Sequence, residues 1–172
     1  LTIEQMATLY LECIDRRIDV PYIIAGYSFG GMVALEMAAK LEKQKRNCLG
    51  VILFDTWVVS CADAKLKETL REDVLEYCRE IIQRVNTHCE LENIKELTDV
   101  MYRQCEHYQN IGFQFIPDNL TATPVNLFKA IDLEKFHEME KKTKFNFLEN
   151  FINKEVLKVK LITGSHFNFL DK

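Results

Sequence analysis

Two hydrophobic periods alternate along the first third of the chain. Ile3, Met6, Leu9, Leu11, Cys13 and Ile14 make a rough apolar stripe at helical spacing, which predicts an amphipathic helix over 1–18. Thr2, with Glu4 and Gln5 behind it, suits the N-cap of that helix. Pro21 then opens an apolar run, Tyr22-Ile23-Ile24-Ala25, that reads as a buried strand. Past Gly26-Tyr27-Ser28-Phe29-Gly30-Gly31 the helical period returns with Val33, Leu35, Met37, Ala38 and Leu41. That helix fades into the charged segment 40–46, whose basic residues suit a helix C-terminus, with Asn47 as its stop. Cys48 to Phe54 is a second near-continuous apolar run, a buried parallel strand ending on Asp55-Thr56-Trp57. Strand, helix, strand is a βαβ unit, and chemistry in such sheets lies beyond the carboxyl ends of the strands.

The alternation breaks over residues 64–110. Leu66, Leu70, Val74, Leu75, Cys78, Ile81, Ile82 and Val85, then Leu91, Ile94, Leu97, Met101, Cys105 and Tyr108, predict two amphipathic helices with no strand between them. A helical insertion after a strand at the chemical edge of the sheet is placed like a lid. Thr123 to Ala130 reads as a third strand and Glu155 to Ile162 as a fourth, with a loop and a short helix expected over 132–153. The expected fold class is therefore α/β: a mostly parallel sheet with flanking helices, in one domain over 1–172 with 64–110 as its insertion.

Composition narrows the function more than the fold. The chain of 172 residues is 48% hydrophobic and 28% charged, an ordinary globular balance with enough length for a real core. A net charge of −4 gives no reason to expect nucleic acid or an anionic membrane as partner. No run approaches the ~18 apolar residues of a membrane span, and the N-terminus has no secretory pattern. Cys13, Cys48, Cys61, Cys78, Cys89 and Cys105 form no C-x-x-C pair, so zinc is not expected and reduced thiols in a cytoplasmic protein are. Asn119-Leu120-Thr121 fits a glycosylation sequon and is taken as coincidence in that setting.

The chemistry concentrates at Ser28. Strand, G-x-S-x-G, helix is the nucleophile elbow: a sharp turn lifts the serine out of the sheet, and Gly26, Gly30 and Gly31 give room for a strained backbone and close helix packing. The helix N-terminus beneath Ser28 offers backbone N–H groups, Phe29 first, to an oxyanion. A serine hydroxyl needs a base and the base an orienting acid. His166, in Gly164-Ser165-His166-Phe167 after the last strand, is placed to be that base; His88, His107 and His137 read as surface residues. Asp55 and Asp132 both follow strands, and position alone does not choose between them.

AGYSFGGMVALEMA, VILFDTW, TPVNLFKA and GSHFNFL, in that order, resemble the thioesterase domains that end nonribosomal peptide and polyketide synthases, α/β-hydrolases related to the fatty-acid synthase thioesterases. The resemblance implies Ser28 as nucleophile, His166 as base, and Asp55, 27 residues after Ser28, as acid in preference to Asp132. It implies a substrate delivered as a thioester on the phosphopantetheine arm of an acyl or peptidyl carrier protein or domain. It also implies an acyl-enzyme resolved by water or by ring closure, and no cofactor or metal of the enzyme's own. Phe29 favours the integrated type over the separate editing enzymes, which carry Met there. Family domains are longer: their first strands, and a loop giving a second oxyanion N–H, have no counterpart in this chain. A small-molecule esterase or lipase with the same three residues, and a non-catalytic hydrolase-like interaction domain, are the competing expectations.

Overall fold

A computed structural model describes residues 1–15, 21–89, 94–131, 144–164 and 166. Four strands, β1 (Tyr22–Tyr27), β2 (Cys48–Phe54), β3 (Val125–Ile131) and β4 (Leu157–Thr163), pair in that order, and every pairing is parallel. α1 (Ile3–Asp15) precedes β1, and α2 (Phe29–Lys43) connects β1 to β2. α3 (Ala64–Cys89) and α4 (Ile94–Gln114) intervene between β2 and β3, introduced by a short 3-10 turn at Val59–Cys61. No helix among the described residues is long and apolar enough to cross a membrane.

α2 is the centre of the core because small and apolar residues cover it on two sides. Ala34, Leu35, Ala38 and Ala39 pack with Val51, Leu53, Val125 and Leu127 of the sheet. Met32, Val33, Met37 and Leu41 meet Ile3, Ala7 and Leu11 of α1. The start of α1 is a reciprocal cap: the Gln5 N–H donates to Thr2 Oγ1 at 3.2 Å while the Thr2 N–H donates to Gln5 Oε1 at 2.8 Å. The end of α2 turns at Lys45, whose φ of 55° takes the left-handed role the sequence assigned to Asn47.

The β1–β2 pair carries one irregularity. Tyr22 faces Cys48 but Ile23 faces Gly50, so Leu49 is an extra residue, after which the register runs unbroken to Tyr27 opposite Phe54.

Two buried or bonded carboxylates fix neighbouring segments. Glu42, on α2, accepts the backbone N–H groups and hydroxyls of Thr121 and Thr123, tying down the approach to β3. Partial burial works against its ionisation, yet these hydrogen bonds prevail and hold the carboxyl down at about 2. Glu36 is buried in α2, which pushes its carboxyl above the ordinary range, against the pull of Lys40 at 3.3 Å.

Where the elements differ from expectation, tertiary packing decides. α4 runs to Gln114, past Gly112, because that glycine lies against α2: a Cβ there would come within 2.9 Å of Met32 Cε. Phe115 just beyond is buried in the cluster between α1 and α2. The segment 144–153 holds a turn and a 3-10 helix, Leu148–Asn150. Residues 132–143, and with them Asp132 and His137, lie outside the described residues.

Candidate functional site

β1 ends at Tyr27, and Ser28 turns the chain at φ 51°, ψ −122°, a region an L-residue enters only under constraint. The constraint is visible on both sides. The Ser28 N–H donates to Phe54 O at 2.9 Å, and the Ser28 carbonyl accepts from the Gly31 N–H at 3.0 Å. A Cβ at Gly26 would run into the backbone of Gly30 and Gly31, and one at Gly31 into the Thr56 side chain. These two glycines therefore make the crossing of β1, α2 and the end of β2 possible. Gly30 differs from expectation: a Cβ there would meet nothing within 4 Å, so close packing gives no reason for a glycine at that position.

Asp55 follows β2, the strand next to β1, and also takes a left-handed backbone, φ 43°. Its N–H donates to Phe128 O at 2.8 Å. Its carboxylate is buried and held by donors: Oδ1 accepts the Ala130 N–H at 3.1 Å and the Asn146 side-chain amide at 3.4 Å. Oδ2 lies 2.7 Å from Nδ1 of His166, and Nε2 of that ring lies 2.8 Å from Ser28 Oγ. An ionised carboxylate only accepts, so Nδ1 carries the proton and Nε2 is left as acceptor for the Ser28 hydroxyl. Ser28, His166 and Asp55 thus form one hydrogen-bonded chain, from segments 138 and 111 residues apart.

The first amides of α2, Phe29 and Gly30, have no intrahelical acceptor and lie directly after the serine. From α4, Tyr108 reaches the elbow, its ring 5.1 Å from that of Phe29. A largely apolar cavity of about 580 Å³ flanks the elbow, lined by Tyr27, Phe29, Gly30, Val33, Met37 and Tyr108 among others.

Two contributors had escaped the sequence reading. Asn146 is fully buried with φ 54°, and its amide donates to Asp55 Oδ1 and to Thr56 O at 3.1 Å. It lies in a charged, aromatic stretch with no periodic signal. Tyr27 sits inside the motif, but nothing in its spacing marks it: its ring stacks on the His166 imidazole with centroids 5.1 Å apart and planes at 19°. Of the other histidines, His107 is exposed on α4.

The family model of the thioesterase domain matches residues 1–171. The chain belongs to the thioesterase domain family. Among solved structures, this thioesterase domain is similar to the NocB thioesterase domain in covalent complex with a fluorophosphonate nocardicin G analogue. The TM-score is 0.67 at 20% identity, over 99% of this chain and 68% of that one. It is likewise similar to the Vlm2 thioesterase domain bound with a dodecadepsipeptide, with TM-score 0.67, 19% identity, and coverage of 99% and 71%. At these identities the likeness concerns the fold, which is that of the α/β thioesterases. Curated relatives match the domain more locally. Malpinin synthetase of Mortierella alpina is 46% identical over 57 residues, 32% of this chain and 1% of that protein. Orsellinic acid synthase of Emericella nidulans is 42% identical over 57 residues, 32% and 3%. The thioesterase domain spans only a few hundredths of the length of these synthases.

Proposed function

We propose that this domain releases an acyl, peptidyl or polyketide chain from a thioester on the phosphopantetheine arm of a carrier domain. The family assignment and the synthases that carry matching segments support the substrate class. The observation that carries the mechanism is the unbroken chain Ser28 Oγ, His166 Nε2, His166 Nδ1, Asp55 Oδ2, at 2.8 and 2.7 Å.

In the proposed reaction His166 takes the Ser28 proton as Oγ attacks the thioester carbonyl. The Phe29 amide at the start of α2 faces the developing oxyanion, where a preorganised donor contributes most. His166 returns the proton to the departing thiolate, leaving an acyl ester on Ser28. Water, or a hydroxyl or amine of the chain itself, repeats the attack with His166 again as base. Asp55 stays ionised throughout and stabilises the imidazolium that forms in each step. The domain brings no cofactor or metal of its own to this scheme; the pantetheine belongs to the partner. Residues 64–110, which include α3 and most of α4, act as the lid, and the Phe29–Tyr108 contact is where the lid meets the elbow. The setting proposed is cytoplasmic, with thiols reduced.

The deciding experiment is the mass of the adduct on the full-length protein after incubation with a loaded carrier domain. An acyl group on Ser28, absent in Ser28→Ala, supports the proposal; a protein that leaves the carrier loaded and cleaves simple oxygen esters in preference to acyl-pantetheine would refute it.

A further inference from the structure

We propose that Tyr27 is a positioning residue that braces the base, fixing the tilt of the His166 ring and the backbone that carries it. The inference rests on the triad reading above. The hydrogen bonds to Asp55 and Ser28 both engage ring nitrogens, at the edge of the imidazole, where the N–H and the lone pair lie in the ring plane. Two in-plane contacts fix where the ring nitrogens sit but resist rotation about the line between them only weakly. The face of the ring is what they leave open, and Tyr27 covers it, stacked at 5.1 Å and 19°.

The second restraint acts on the main chain. The Tyr27 hydroxyl donates to the backbone carbonyl of His166 itself, at 2.5 Å, across 139 residues of sequence. His166 needs such an anchor because it sits on a turn after β4, beyond Gly164 at φ 138°. Tyr27 is the residue directly before Ser28, so one strand end carries both the nucleophile and the brace of its base. The nucleophile and its base, carried on segments after β1 and β4, are thereby linked through one strand end as well as through their own hydrogen bond. Tyr27 is 39% exposed, so its ring adds little to the core, and replacing it tests positioning more than folding.

The test uses the full-length protein as Tyr27→Phe, which keeps the stacked ring and loses the hydroxyl, and as Tyr27→Leu, which loses both. The readouts are the second-order rate of Ser28 labelling by a fluorophosphonate, kcat and KM on an acyl-pantetheine thioester, and the thermal midpoint. Losing one well-formed hydrogen bond should lower kcat and the labelling rate about tenfold in Tyr27→Phe. Losing the stacked face as well should lower them about a hundredfold in Tyr27→Leu. KM should stay within about twofold in both. A side chain that merely filled space would leave Tyr27→Phe at the wild-type rate, and that result overturns the proposal. If Tyr27→Leu fails to fold, Tyr27→Phe decides alone, since it retains the ring packing. Wild-type protein that is not labelled at all would overturn the triad reading and this inference with it; wild type that labels while both variants label equally fast would overturn this inference alone.

Discussion

Replacing Asp55 separates catalysis from folding in a way the geometry makes quantitative. The carboxylate serves three donors: the Ala130 N–H, the Asn146 amide and the imidazole Nδ1–H. In Asp55→Asn the side-chain oxygen can still accept from Ala130 and Asn146, so the buried donors stay satisfied. The new amide then points its own N–H groups at Nδ1, which forces the proton to Nε2 and leaves the ring unable to accept from Ser28. An orienting acid converted to its amide in this way lowers kcat by about 10⁴. The stability cost should stay near about 1 kcal/mol, the loss of charge from otherwise intact hydrogen bonds. Asp55→Ala removes the acceptor altogether and leaves two buried donors unpaired, at about 1–3 kcal/mol each. Both variants should therefore be nearly inactive, but only Asp55→Ala should melt markedly lower. The assay is single-turnover acylation of Ser28 beside a denaturant titration. Acylation by Asp55→Asn within about tenfold of wild type would refute the argument, and a comparable collapse in Asp132→Asn would point to that residue as the acid.

Three further expectations concern stability. Because the Glu42 carboxyl is held at about 2, below its ordinary value of 4.5, its contribution is present above pH 4.5 and is lost as pH falls from there towards 2. After allowance for its solvent exposure, Glu42→Gln should cost about 1 kcal/mol at pH 7 and progressively less at pH 4 and 3, read by urea unfolding; an offset that does not shrink on acidification contradicts this. Thr56 is fully buried and its hydroxyl has no partner among the described residues, so Thr56→Val should raise the thermal midpoint by roughly 2–4 °C, about 1 kcal/mol. Gly31→Ala should destabilise by more than about 2 kcal/mol and impair Ser28 labelling, whereas Gly30→Ala should fold normally; equal tolerance of both would show that the Thr56 contact is relieved by relaxation.

What the chain disclosed by itself follows from which forces are local. β2 was legible residue for residue, Cys48 to Phe54, since a strand buried on both faces is a continuous apolar run with polar residues at its ends. The elbow was legible because its backbone needs glycine at Gly26 and Gly31 whatever the rest of the protein does. The choice between Asp55 and Asp132 was not, as both follow strands; the adjacency of β1 and β2 sets Asp55 beside Ser28, and the turn after β4 brings His166 to both, which is a property of sheet order and not of local sequence. Asn146 was out of reach for the same reason: its value lies in two long-range hydrogen bonds and a left-handed backbone that Asn merely tolerates. α4 runs four residues past the expected 110, where Gly112 lies against Met32 of α2, a contact that spacing along the chain does not show.

The extra residue at Leu49 divides the first strand pair into two mechanically separate ends. At one end the Tyr22 N–H is tied to Asn47 O at 3.1 Å, where the chain arrives from α2. At the other, Tyr27 faces Phe54 and sets the spacing of nucleophile and acid. The bulge takes up the one-residue mismatch between them, and Leu49, 52% exposed, has little packing to lose by shifting. Insertions or deletions in the α2–β2 connection would therefore be absorbed upstream of Gly50. The connection is free to vary in length while the distance from Ser28 to Asp55 is conserved by the strand beyond it.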